Sequence, residues 1–188
     1  MALCSYAVAA QAECVSSDDL IKGVIFTFDD GRAEVHRELE NDKIAIDRVV
    51  DDVLDKTTIY ARGVYFVEDI YWVEGQVSSE DSFSIDLGMP PSDMPLPRSG
   101  ESWEVHSLPP AGSDDTSSVR IVYDYGERQT LEIGACSYKA ILVEVRLPDV
   151  EISNTLGSLF LPELGTIIHV ETDGEPVRKP VSLVAVGR

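Results

Sequence analysis

Histidine, a common ligand of metal ions, occurs three times in this chain, at His36, His106 and His169. Each lies on a predicted strand, and no two have the spacing that places ligands on one face of a helix. No cysteine stands near any of them in the sequence. We therefore predict no metal site and no cofactor, and we expect the three histidines to occupy exposed positions of alternating strands.

Residues that could act as nucleophiles or as paired acids show no pattern typical of an active site. The chain has no Gly-x-Ser-x-Gly motif and no glycine-rich phosphate loop. Its acidic pairs are adjacent in sequence, so on a strand their two carboxylates would point to opposite faces and could not form a glycosidase site. These pairs are Asp18-Asp19, Asp29-Asp30, Asp51-Asp52 and Asp114-Asp115. No catalytic residue is predicted.

The cysteines favour a disulfide over a reactive thiol. Residues 1–12 are uncharged and mostly small or apolar, and Ala10-Gln11-Ala12 matches the cleavage pattern of a signal peptide. Cys4 lies inside this signal-peptide remnant, which leaves Cys14 and Cys136 to pair in an oxidising compartment. A bridge that closes a loop of about 120 residues would contribute roughly 4–5 kcal/mol at most. A cytosolic protein with two unrelated buried thiols is the alternative.

The charge balance excludes several kinds of partner. The chain carries 34 Asp and Glu against 15 Lys and Arg, for a net charge of -19. Nucleic acids are not expected partners, because neutralising phosphates requires lysine and arginine, and an anionic membrane surface would repel the chain. No apolar run approaches the ~20 residues that span a bilayer. We expect a well-solvated protein of the cell envelope or the exterior that is not embedded in a membrane.

The elements that must position these residues are predicted to be strands. Asp29-Asp30-Gly31 between two alternating runs is a hairpin signal. The stretch from Val119 to Leu147 predicts another hairpin, which turns at Asp124–Glu127 and continues into a third strand. Residues 41–56 fit either one helix face or strands, and we favour strands. Gly63, within a β-prone run, predicts a bulge or bend.

These elements predict a mainly β fold class. We expect a curved antiparallel β-meander, forming a half-barrel or an open barrel with little helix, in one domain over residues 13–188. A proline-rich excursion at about residues 78–118 interrupts the regular pattern within that domain.

Aromatic residues are the remaining candidates for a binding site. In an antiparallel sheet they are usually core residues and cross-strand pairs. The alternative is that they line the concave side of a curved sheet and hold an apolar ligand. The ligand-lining candidates are Tyr60, Tyr65, Phe66, Tyr71, Trp72, Tyr123, Tyr125 and Tyr138.

Two segments carry a resemblance. The first is Leu131–Tyr138, which precedes an alternating strand, and the second is Leu159–Gly165, which precedes a strand and an Asp-Gly turn. Both, together with Thr27–Gly31, are similar to short signatures of secreted periplasmic proteins of unknown function from alphaproteobacteria. The meander pattern also resembles the half-barrel of the LolA/LolB-like lipoprotein carriers. Together with the strands and the turn that follow the first two, these segments cover about a fifth of the chain. The resemblance implies a periplasmic location and no functional residue.

The function expected from these observations is non-enzymatic. We predict a periplasmic or secreted bacterial protein that binds an apolar ligand or a protein partner on a curved β-sheet. A hydrolase with an unrecognised site and a structural interaction module are the alternatives.

Overall fold

A computed structural model of the chain describes residues 14–108, 118–150, 156–171 and 178–187. The predicted signal-peptide remnant and the Asp114-Asp115 pair lie outside the described residues. Within these ranges the helical segments are two short 3-10 turns, Ser17–Ile21 and Pro91–Asp93, and neither has the length or apolar character of a membrane span.

Alternating sequence produces strands through nearly all of the described chain, as predicted for a mainly β protein. In chain order they are β1 Val24–Phe28, β2 Ala33–Leu39, β3 Lys43–Val50, β4 Val53–Ala61, β5 Tyr65–Val73, β6 Gln76–Ser84, β7 Ser102–His106, β8 Arg120–Ile133, β9 Cys136–Arg146, β10 Leu156–Leu161, β11 Thr166–Glu171 and β12 Pro180–Ala185. All strand pairs are antiparallel.

The larger sheet has seven strands in the order β12-β1-β2-β3-β4-β5-β6, so six consecutive strands form the predicted meander. Residues 41–56 contain β3 and β4, which confirms the strand interpretation of that stretch. Two-residue turns join β3 to β4 at Asp51-Asp52 and β5 to β6 at Glu74-Gly75, and all four residues have positive φ. Such turns match the twist of the flanking strands, which explains Asp and Gly at these positions.

The smaller sheet has five strands in the order β11-β10-β9-β8-β7. The predicted hairpin at Asp124–Glu127 is wrong: β8 runs without interruption from Arg120 to Ile133, and its pairing with β9 shifts register between Tyr125 and Arg128. Gly126 and Glu127 of β8 thus lie opposite the single residue Leu142 of β9, and this bulge forms because β9 is long enough to pair with both halves of β8. The hairpin turn lies instead at Gly134-Ala135.

The two sheets come into close contact where two turns meet. Gly63 was predicted to mark a bulge or bend, but it lies in the turn that separates β4 from β5. Its φ is +68°, and a Cβ atom placed there would lie 1.9 Å from the carbonyl oxygen of Gly165, in the turn between β10 and β11. Only glycine allows both that backbone conformation and that approach.

The predicted disulfide between Cys14 and Cys136 is present, and its Cα atoms are 5.7 Å apart. It fastens the N-terminal end of the described chain to the first residue of β9. Tyr138 donates a hydrogen bond from its hydroxyl group to the carbonyl oxygen of Val15, at 3.1 Å. Leu20 of the adjoining 3-10 turn is buried in the same core. A disulfide at this position is typical of proteins that fold in an oxidising compartment.

Replacement of Gly63 by alanine is expected to destabilise the fold by about 3 kcal/mol or more, since the left-handed backbone penalty and the overlap with Gly165 add. Urea unfolding of the Gly63→Ala variant measures the loss. Gly75→Ala is the matched control, because Gly75 also has positive φ, at +77°, but nothing lies within 4 Å of a Cβ there. The control should lose only about 1 kcal/mol; equal losses would contradict the packing argument.

Candidate functional site

Polar side chains of both sheets meet where β11 packs against β2 and β4. We call this group the inter-sheet polar cluster. It consists of two hydrogen-bonded sets, each centred on a histidine, and its members are Glu34, His36, Tyr60, Ser158, Thr166 and His169.

The first set is centred on His36. Its Nδ1 atom is 2.8 Å from the Thr166 hydroxyl oxygen of β11, and its Nε2 atom is 3.3 Å from a carboxylate oxygen of Glu34. His36 and Thr166 have no solvent-exposed surface, and Glu34 is also buried. The prediction that His36 occupies an exposed strand position is therefore wrong, because its side of β2 is covered by the smaller sheet. The set joins the sheets but has no opening for a substrate.

The second set is centred on His169 of β11. Its Nε2 atom is 2.8 Å from the Tyr60 hydroxyl oxygen on β4, and its Nδ1 atom is 3.2 Å from the Ser158 hydroxyl oxygen on β10. His169 is only partly buried, while Tyr60 and Ser158 are buried. The exposed position predicted for His169 is thus also wrong. His106 does lie exposed on β7, 3.7 Å from Glu104.

Burial and neighbouring charges set the protonation of this cluster. Burial raises the pKa of Tyr60 well above its ordinary value, and the charges of Asp69 and Glu34 raise it further. Burial lowers the pKa of His169 despite the opposing charge of Glu34. Burial pushes the pKa of Glu34 upward, but the hydrogen bond and charge of His36 outweigh it, so that pKa lies below its ordinary value. At neutral pH, Tyr60 is thus a phenol, His169 a neutral imidazole and Glu34 a carboxylate.

These protonation states make the cluster poor catalytic machinery. A phenol is a stronger acid than a neutral imidazole, so Tyr60 donates to Nε2 of His169, whose proton then resides on Nδ1. In this tautomer the Ser158 hydroxyl oxygen accepts a hydrogen bond from Nδ1, an arrangement in which His169 does not act as a base toward Ser158. In the described ranges no three or more His, Cys, Asp or Glu side chains are grouped to hold a metal ion.

Three of the predicted ligand-lining aromatics pack together in the core. Tyr65 donates from its hydroxyl group to the carbonyl oxygen of Pro95 and accepts from Tyr125, both at 2.6 Å. Its ring contacts the edge of Tyr123 at 4.9 Å and of Trp103 at 4.5 Å between centroids. These rings fill the space against one another, so they fit the core interpretation of the aromatics.

The other five candidates lie apart from that group. Tyr138 is buried beneath the N-terminal segment, and Tyr60 belongs to the inter-sheet polar cluster. Phe66 contacts Tyr60 and Phe83, with ring centroids 6.2 and 5.3 Å away. Tyr71 and Trp72 are partly buried neighbours on β5, so their side chains point to opposite faces of the larger sheet.

The face of the larger sheet that carries Tyr60 continues beyond the inter-sheet polar cluster. On it Thr58 donates to Asp69 at 2.5 Å, and the Lys56 ammonium group is 3.2 Å from the same carboxylate. Lys56 is the register partner of Tyr71, and its nitrogen lies 5.7 Å from the centroid of that ring. Directly paired residues share a face, so these side chains form one continuous surface with Tyr60.

Apolar side chains are exposed at the far end of this surface, where the β3–β4 and β5–β6 hairpins turn. Val50 pairs with Val53, and Val73 lies two residues beyond Tyr71, so all four share the Tyr60 face. Val53 and Val73 are each 57% exposed, and Val50 is also exposed. We call these four residues, Val50, Val53, Tyr71 and Val73, the hairpin-end patch.

A second feature lies at the opposite end of β4, beside the turn that contains Gly63. A pocket of about 210 Å³ is bounded there by Asp42, Lys43, Arg62 and Leu164. The Arg62 Nε atom is buried and has no hydrogen-bond partner among the described residues, while its Nη1 atom is 3.5 Å from Asp42. The charges around the pocket are mixed, so it favours no one ligand class.

No family model, curated protein or solved structure matches this chain. Sequence reasoning named Tyr60 and Tyr71 as candidates but did not predict the inter-sheet polar cluster or the hairpin-end patch to which they belong. The signal for the cluster is weak, because Glu34 and His36 alternate with Ala33 and Val35 and so suggest that the apolar side of β2 is the covered one. The four patch residues form ordinary strand patterns.

Acidification is expected to destabilise the fold in two steps. The pKa of His169 is lower in the folded chain, so the unfolded chain binds more protons below about pH 6.5 and stability falls with pH there, by up to about 1.4 kcal/mol per pH unit and proton. The lowered pKa of Glu34 makes stability fall again below about pH 4.5.

Denaturant unfolding between pH 4 and 8 tests this expectation. His169→Gln should remove most of the slope between pH 5 and 6.5, about where an ordinary histidine titrates. His106→Gln, at an exposed histidine, should leave the slope in place and serves as the control. A slope that survives in the His169→Gln variant would show that other groups cause it.

Proposed function

We propose that this chain is a non-enzymatic periplasmic or secreted protein that binds a protein partner on the exposed part of its larger sheet. The hairpin-end patch carries the proposal. It presents apolar side chains in a chain that is otherwise rich in charge, and exposed apolar clusters on such proteins mark interaction sites. The disulfide and the resemblance to secreted proteins support the location.

An apolar small ligand is less well supported than a protein. Tyr65, Tyr123 and Tyr125, which could have lined a concave ligand site, are occupied by contacts with one another. The hairpin-end patch is open to solvent, whereas small-molecule sites bury most of their ligand.

A partner should be captured at the patch by photo-cross-linking in cells that export the chain. A benzophenone amino acid in place of Val73 is expected to give one main adduct, which mass spectrometry can assign as protein or lipid. The same amino acid in place of Gln129, an exposed residue of β8, should give no adduct of that mass. Identical adduct patterns at the two positions would contradict a binding role for the patch, as would no adduct at Val73.

The hydrolase alternative rests on the Ser158–His169 hydrogen bond. We expect a fluorophosphonate probe to leave Ser158 unlabelled, because Ser158 is buried and its hydroxyl oxygen accepts from Nδ1 of His169 instead of donating to it. Intact-mass measurement after incubation with the probe checks this, with Ser158→Ala as the control. Labelling of the native chain that is lost in Ser158→Ala would favour a hydrolase and overturn the non-enzymatic function.

A further inference from the structure

Acidic residues are concentrated without compensation in one part of the chain. Between Gly63 and Pro97 there is no Lys, Arg or His, whereas Asp and Glu occur seven times. Five of the seven lie on the β5–β6 hairpin, at Glu68, Asp69, Glu74, Glu80 and Asp81. This hairpin is therefore more acidic than the already negative average of the chain.

The cations of neighbouring strands do little to neutralise it. Among the described residues, Lys56 pairs with Asp69, and no ion pair reaches the other four acids of the hairpin. Arg48, also on the Tyr60 face, is committed to Asp55 within the β3–β4 hairpin. Asp81 accepts a hydrogen bond from Ser78, which holds the carboxylate without neutralising it.

The same hairpin exposes apolar side chains at the edge of the sheet. Val73 of the hairpin-end patch shares its face with Phe83, which pairs with Asp69 and is 52% exposed. Val77, 53% exposed, pairs with Trp72 and therefore points to the opposite face. β6 is the edge strand, with β5 as its neighbour in the sheet. Its pairing with β5 is interrupted between Ser78 and Phe83. There the Ser82 hydroxyl group accepts a hydrogen bond from the backbone amide of Tyr71 and donates one to the carbonyl oxygen of Ser78. Continuous backbone pairing with another strand is thus limited to short pieces, and side chains must supply most of the recognition.

We propose, building on the partner-binding function above, that the β5–β6 hairpin docks a cationic, apolar segment of the partner protein. Lysine and arginine side chains of that segment would neutralise Glu74 and Glu80, while its apolar side chains cover Val73 and Phe83. Opposite charges on the two surfaces accelerate encounter and reject partners of like charge. A second copy of this chain, which carries the same excess of acids, is repelled.

Binding of a defined peptide tests this chemistry. The probe is acetyl-Lys-Val-Lys-Val-Lys-Val-Lys-amide, and its matched counterpart has glutamate at each lysine position. Calorimetry with the full oxidised chain should detect the lysine peptide and not the glutamate peptide. The affinity should fall as salt is raised from about 50 to 300 mM, since screening weakens exposed charge pairs.

Charge reversal locates the site. Glu74→Lys with Glu80→Lys should weaken the lysine peptide by roughly tenfold or more. Glu127→Lys with Glu132→Lys, at exposed acids of β8, changes net charge equally and should weaken it by no more than about threefold. Equal weakening would mean that the peptide responds to overall charge, and no weakening would place it elsewhere; both overturn the inference.

The cross-link at Val73 separates this inference from the function on which it rests. An adduct that is lost in Glu74→Lys/Glu80→Lys and kept in Glu127→Lys/Glu132→Lys supports a cationic partner. An adduct that persists equally in both variants, or one with the mass of a second copy of the chain, overturns the cationic partner but leaves binding at the patch intact. No adduct at Val73 in the native chain overturns both.

Discussion

The contact between the Gly63 turn and the Gly165 carbonyl oxygen limits how the two sheets can pack. No side chain fits between the two backbones at that point. β11, which follows Gly165 directly, is thereby placed against β2 and β4. That position brings Thr166 to His36 and His169 to Tyr60, so the polar contacts between the sheets depend on a backbone contact without side chains.

The polar contacts in turn specify the register of β11. Burying a polar group without a hydrogen-bond partner costs about as much free energy as several favourable contacts contribute. Every polar group of the inter-sheet polar cluster has such a partner. Moving β11 by one residue would replace Thr166 with Gly165 or Ile167 and His169 with Ile168 or Val170, and would leave His36 and Tyr60 without these partners. The cluster is best understood as a determinant of one unique packing, which accounts for catalytically suggestive residue types between two packed sheets.

Local signals in the sequence were enough for much of the fold. The Asp29-Asp30-Gly31 signal, period-two alternation and two cysteines predicted the first hairpin, the strands of residues 41–56 and the disulfide, because each depends on neighbouring residues or on simple pairing. The turn predicted at Asp124–Glu127 is wrong because these residues take part in a bulge when the partner strand pairs on both sides of them. The local signal at Asp124–Glu127 does not include the length of β9.

The candidate site could not be predicted in the same way. Alternation shows that the two faces of a strand differ, but not which face another sheet will cover. His36 is buried because β11 lies over it, and Val73 is exposed because nothing comparable covers the end of β5. Both outcomes depend on how two sheets pack, which rests on the Gly63–Gly165 contact. Neither glycine differs in sequence from an ordinary turn glycine, so the sequence gives no recognisable sign that these two turns meet.

The acidic residues at the edge of the larger sheet can have two effects at once: they oppose self-association and they favour a cationic partner. An exposed apolar edge strand invites pairing with other copies, and β6 limits this through the interruption between Ser78 and Phe83 and through Glu80 and Asp81. The same charges would attract a cationic partner, so one set of residues opposes self-association and favours a different protein. Specificity would then come from repulsion as much as from attraction, and a neutral edge with the same valines would have neither property.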